Sequence, residues 1–150
     1  MESPGFCIVF SILDIDIILS DKLLLDEISG RLEKIGYLNK GEQGIPGRFA
    51  FRQATGFTPP TMCKRKWQSH HLYVCYSDSL ALKNHLIFRD ALLQDQNLVT
   101  RYDELKKAII KKAGMTREEY TKRKTEFIIT VLKDLGMQAN ELSEIIQSNQ

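Results

Sequence analysis

The apolar run FCIVFSILDIDIIL, from Phe6 to Leu19, carries two aspartates two residues apart, Asp14 and Asp16. The run is dense in β-branched and aromatic residues, which favours a central strand. On a strand, residues i and i+2 share a face, so both carboxylates project together while Leu13, Ile15 and Ile17 fill the opposite side. The charges interrupt a stretch already shorter than a membrane span, and neither a basic leader nor a small-residue cleavage site surrounds it. It therefore reads as a buried strand, and the expectation is a soluble, cytoplasmic chain with no membrane partner.

The pattern then changes along the chain. Ser20 or Asp21 can cap a helix in which Leu23, Leu24, Ile28, Leu32 and Ile35 recur at helical spacing, and Gly36 stops it. Tyr37 to Gly47 holds three glycines and a proline, a short strand and a turn. RFAFRQ, residues 48–53, alternates, with Phe49 and Phe51 on one side and Arg48 and Arg52 on the other. Residues 54–69 read as a mobile loop with Pro59, Pro60 and the basic run Lys64, Arg65, Lys66. HHLYVCY, residues 70–76, returns as a strand: Leu72, Val74 and Tyr76 face one way, His71, Tyr73 and Cys75 the other. Beyond it the chain is helical. Ser77 or Ser79 caps a helix to about Gln94, a second runs from about Leu98 to Ala113, and Thr116 with Glu119 opens a third to Leu135. Residues 137–150 predict a short, weakly held helical tail. Strands first and helices second give an α+β fold, a small mixed or antiparallel sheet packed against helices, within one domain over residues 1–150.

Twenty-one Lys and Arg against nineteen Asp and Glu leave a formal charge of +2, too balanced for bulk charge to argue for nucleic acid. Three cysteines with no CxxC spacing read as reduced thiols. P-loop, GxGxxG, HExxH, GxSxG and zinc spacings are all absent from the sequence.

Adjacent carboxylates repel unless a cation or basic group sits between them, and hard oxygen ligands suit Mg²⁺, which is commonly held to bind polyphosphate. Asp14 and Asp16 are thus candidate metal ligands; the competing reading is a pair of loop caps or partners of a lysine. His71 can reach the same cleft if the two strands are neighbours, to ligate, touch phosphate or move a proton. Arg48 and Arg52 are placed to clamp phosphate bidentately, whereas Lys64–Lys66 is either a phosphate or nucleic-acid patch or a solvated run. In the first C-terminal helix Arg89 shares a side with Leu82, Leu86 and Leu93, so it is expected to face a polar cleft, with Asp90 directed elsewhere. Tyr102 with Lys106, and Tyr120 with Lys124 and Phe127, suit either ligand contacts or lysine stems lying beside rings.

ILDIDIIL, GRFAFR, HHLYVC, HLIFRDALL, YDELKKAI and EEYTKRKTEFIITVL occur in an order and spacing that resemble the GrpB-like family (UPF0157), from about Leu13 to Leu135. The resemblance implies a nucleotidyltransferase-like fold in which Asp14 and Asp16 hold the Mg²⁺ of a nucleoside triphosphate. It implies Mg²⁺-dependent transfer of a nucleotidyl group to an unknown acceptor, or else non-catalytic binding of a phosphate ligand or a protein partner. On this reading His71 joins the catalytic aspartates, and Arg48, Arg52, Arg89, Lys106 and Lys124 contact the nucleotide. The family's His-Leu-His-Val strand matches His71–Val74 with Tyr73 in place of the second histidine. Its Phe-Arg-Asp matches Phe88–Asp90, and its closing Tyr…Lys…Phe-Ile matches Tyr120, Lys124, Phe127 and Ile128. At the front, Met1–Phe6 resembles only the remnant of a Pro-Gly segment, and the family's Gly-Ser turn is missing. That departure predicts a shortened or inactive member lacking half of a phosphate site.

Overall fold

Alternation along three segments builds the sheet. In the computed structural model, which describes residues 12–112 and 114–148, the strands are β1 (Leu13–Leu19), β2 (Tyr37–Gly41), β3 (Arg48–Gln53) and β4 (His70–Tyr76), in the order β1-β4-β3-β2. The expectation for residues 6–11 lies outside the described residues. β1 runs parallel to β4, with Asp14 opposite His71 and Asp16 opposite Tyr73. β2 and β3 are antiparallel, with an irregularity between Asn39 and Gly41 where Gly41 takes φ +68° and its N–H donates to the Asn39 side chain. The sheet is therefore mixed, and the fold is α+β with a largely helical C-terminal half, as the pattern predicts.

Two compact units arise. Of the described residues, the first contains 12–43 and 49–76. Its core is Leu19, Leu32, Tyr37, Phe51, Leu72 and Val74, with Ile17, Leu25, Ile28 and Phe49 packed against them. Those residues come from one face of the strands and from α1 (Leu25–Lys34). Asp21 caps a short 3₁₀ turn, Lys22–Leu24, by accepting from the Leu23 N–H. That turn shifts the helical phase. Leu23 is 89% exposed, and Leu24 and Ile35 are also exposed, so three of the five expected core positions of this helix are not core; Leu25 serves with Ile28 and Leu32 instead. Acidic Asp26 and Glu27 in the first turn and basic Arg31 and Lys34 in the last complement the helix dipole.

Loop 54–69 is tied down by its own hydrogen bonds. Thr58, buried, donates through Oγ1 to the Gly36 carbonyl, the Trp67 indole donates to the Pro59 carbonyl at 2.8 Å, and the Trp67 amide reaches the Gly56 carbonyl.

Of the described residues, the second unit contains 44–48, 77–112 and 114–148. It comprises α2 (Leu80–Gln94), α3 (Gln96–Lys111), α4 (Arg117–Asp134) and α5 (Ala139–Ser148). Ser79 and Thr116 cap α2 and α4 as expected, while Asp95 caps α3 through the Asn97 and Leu98 amides. Leu132, Leu142 and Ile145 form its core with Leu80, Ile87, Phe88, Ile128, Ile129 and Met137. The tail expected to be weakly held supplies two of those buried residues. Glu141 at its start pairs with Lys83 and accepts from the Gln138 amide, which hold its carboxyl below the usual range. Among the described residues, no helix is long and apolar enough to cross a membrane, and no disulfide joins Cys63 and Cys75.

Candidate functional site

Because Leu72 and Val74 of β4 enter the core, the intervening His71, Tyr73 and Cys75 occupy the opposite face. The parallel register sets Asp14, Asp16 and Ile18 of β1 beside them. The two strand segments that the sequence singles out are thereby neighbours, and the expected meeting of Asp14, Asp16 and His71 on one face is what the register delivers. Asp14 Oδ1 lies 3.3 Å from His71 Nδ1. The Tyr73 hydroxyl lies 3.4 Å from the same nitrogen, and the rings meet edge to face at 6.2 Å. Further along, the Cys75 thiol points at Asp16 Oδ1 from 3.6 Å.

The chemistry of these contacts is set by what each atom can do. An ionised carboxylate only accepts, whereas the Tyr73 hydroxyl can donate or accept, so His71 Nδ1 has two alternative partners on this face. Asp14 retains a second oxygen, and with 64% of its side chain exposed that oxygen is reachable from solvent. On β3, Phe49 and Phe51 enter the core, so Arg48, Ala50 and Arg52 take the other face. Gln53 Oε1 accepts from the His70 amide and Phe49 packs edge to face on Tyr76, so β3 runs opposite to β4. Arg52, exposed, therefore stands at the His71 end of the sheet, one strand beyond His71 and two from Asp14. Arg48 begins β3 at the opposite end and groups with the second unit.

His70 has a structural role. Its Nδ1 lies 2.9 Å from the Gln68 carbonyl, which can only accept, so Nε2 is the acceptor for the Tyr37 hydroxyl at 2.7 Å. Both side chains are buried, and burial pushes the Tyr37 phenol above its ordinary value. Nothing in the alternation pattern announces this pair, because the partners come from different strands.

Arg89, Lys106 and Lys124 lie in the second unit. Arg89 is a correction: it is exposed and donates through Nε and Nη2 to Asp90, the neighbour expected to point away. Leu80, Ile87 and Phe88 of α2 pack into the core. Leu82, at the start of the stripe that Arg89 shares, is buried as well, but that side opens to solvent by Arg89. Arg89 follows Ile87 by two residues, about 200° around the helix, and Leu93, one turn on, is 78% exposed. Lys106 Nζ lies 4.7 Å from the Tyr102 ring centre and Lys124 Nζ 5.8 Å from that of Tyr120. These are the contacts expected of lysine stems lying beside rings. Tyr102 also stacks on Phe127 and meets Phe88 edge to face.

Comparison with known proteins follows the same outline. A family model described as "GrpB protein" matches residues 11–134. The UPF0157 protein YqkA of Bacillus subtilis (strain 168) is 29% identical over 106 residues, covering 71% of this chain; the chain spans 28% of that relative's length. The crystal structure of conserved protein GrpB from Enterococcus faecalis matches with a TM-score of 0.60 and 24% identity, covering 84% of this chain and 72% of the other, a likeness of fold.

Proposed function

The chain belongs to the GrpB family, and from that premise we propose that the β1/β4 face binds a Mg²⁺–nucleoside triphosphate and transfers its nucleotidyl group to an acceptor. The observation that carries the reading is the parallel pairing that sets Asp14 and Asp16 beside His71. Two carboxylates projecting from one strand face are hard oxygen donors of the kind Mg²⁺ takes. Among the described residues no group of three or more His, Cys, Asp and Glu is placed to hold a metal ion, so in this proposal the triphosphate oxygens and waters complete the shell. Bound there, Mg²⁺ would neutralise phosphate charge.

The chain's own residues supply the rest. Arg52 offers a planar fork of donors to phosphate oxygens at the His71 end of the face. His71, beside Asp14, takes the proton of an acceptor hydroxyl as its oxygen bonds to the α-phosphorus and the bond to pyrophosphate breaks. A second reading, binding without transfer, draws on the strand beside the aspartates: its facing residues are His71, Tyr73 and Cys75, and it adds no third carboxylate.

Calorimetric titration with ATP in Mg²⁺ and in chelator tests the proposal. Affinity should fall at least tenfold, roughly 1.4 kcal/mol, when Mg²⁺ is removed, and Asp14→Asn or Asp16→Asn should erase that difference. Equal affinity under both conditions, or none under either, refutes it. Release of pyrophosphate from the bound nucleotide separates transfer from binding alone.

A further inference from the structure

Bulk charge conceals how the cations are distributed. Loop 54–69 contains Lys64, Arg65 and Lys66 and no acidic residue, so this one segment carries +3 in a chain whose total is +2. All three are exposed, and none makes an ion pair with a carboxylate among the described residues. Their backbone is nevertheless held. The Lys64 amide donates to the Thr61 carbonyl, the Arg65 amide to Thr61 Oγ1, and Trp67 is anchored to Gly56 and Pro59. The Arg65 guanidinium lies over the Trp67 ring, 4.9 Å from its centre, which presets its position. The Trp67–Gly56 bond closes the loop on itself and brings Lys66 against Gly56, the residue before Phe57. Phe57 is 51% exposed and Met62 fully so.

We propose that this loop is a docking site for single-stranded nucleic acid: Lys64, Arg65 and Lys66 neutralise phosphates and Phe57 stacks an unpaired base. Cations interleaved with an exposed ring on a fixed backbone are what a single strand requires, since every base has a face to stack and the backbone supplies regular charge. A duplex would leave the ring without a partner, because its bases are already stacked. The proposal stands independently of nucleotidyl transfer; it concerns a surface, not the Asp14–His71 face.

Fluorescence anisotropy with a labelled oligouridylate of about 12 nucleotides, followed from about 50 to 200 mM salt, is the test. Three phosphate contacts to a single strand predict a log–log salt slope of about −2. The triple variant Lys64→Gln/Arg65→Gln/Lys66→Gln should abolish the slope and lose at least tenfold in affinity. Phe57→Ala should lose roughly fivefold or more with the slope unchanged. Circular dichroism confirms that each variant is folded before it is compared. No binding at the lowest salt, unchanged affinity in the triple variant, duplex bound as tightly as single strand, or binding to phosphatidylglycerol vesicles in place of the oligonucleotide would each overturn the proposal.

Discussion

Replacing Tyr37 by Phe removes one oxygen from the first core and isolates a single hydrogen bond. The ring pairs with His70 at 5.8 Å between centres, and the ring contact survives the substitution. What is lost is the donor to His70 Nε2, a 2.7 Å contact between residues 6% and 8% exposed. The Gln68 carbonyl keeps the proton on Nδ1, so Nε2 cannot become a donor to something else without the imidazole charging. A buried acceptor left without its partner costs about 1–3 kcal/mol. Trp67, the only tryptophan, is anchored in the same unit and reports its unfolding by fluorescence. In urea, with slopes of roughly 1–3 kcal/mol per molar, the midpoint should fall by on the order of 1 M. The variant also has a pH signature. Burial raises the Tyr37 phenol above 10.0 in the folded state, so the unfolded chain ionises first and binds fewer protons there. The stability this group contributes is fully present below its unfolded pKa and is lost as pH rises through the folded one. The gap between parent and Tyr37→Phe should therefore narrow above about pH 10. A loss under about 0.5 kcal/mol, below the range of a buried orphaned acceptor, or a gap that does not change with pH would refute the argument.

Other perturbations probe different parts of the molecule. Leu142→Ala should cost about 2–5 kcal/mol of second-unit stability by thermal denaturation, because a buried leucine on α5 leaves a cavity beside Leu132; a negligible loss would mean that α5 is dispensable. Gly36→Ala should destabilise by at least about 1 kcal/mol, since this residue has φ +93° and a new Cβ would lie 3.0 Å from Thr58 Oγ1; an unchanged urea midpoint would show that the α1 terminus relaxes freely. Arg89→Leu should shift stability by no more than about 1 kcal/mol, because the Arg89–Asp90 pair is exposed; a larger loss would assign Arg89 to a buried pair.

The amino-acid sequence alone determined the elements whose signals are local. RFAFRQ and HHLYVCY occupy β3 and β4 over the expected residues because a two-residue period carries its own orientation. Ser79 and Thr116 cap their helices because a hydroxyl reaches an amide three residues on. The shared face of Asp14 and Asp16 is legible in the same way. Other features depended on contacts that no local pattern encodes. The Asp21-capped turn moved the phase of α1, so that Leu25, not Leu23, became a core neighbour. Arg89 shares its stripe with Leu82, Leu86 and Leu93, yet of these Leu82 is buried and Leu93 is exposed, so packing covers only the first turn of that side. Above all, the sequence could place His71 beside the aspartates only on condition that their strands were neighbours. The tertiary structure met that condition by inserting β4 between β1 and β3. Strand order is a long-range choice, decided by which apolar faces bury together, and alternation within a single strand cannot specify it.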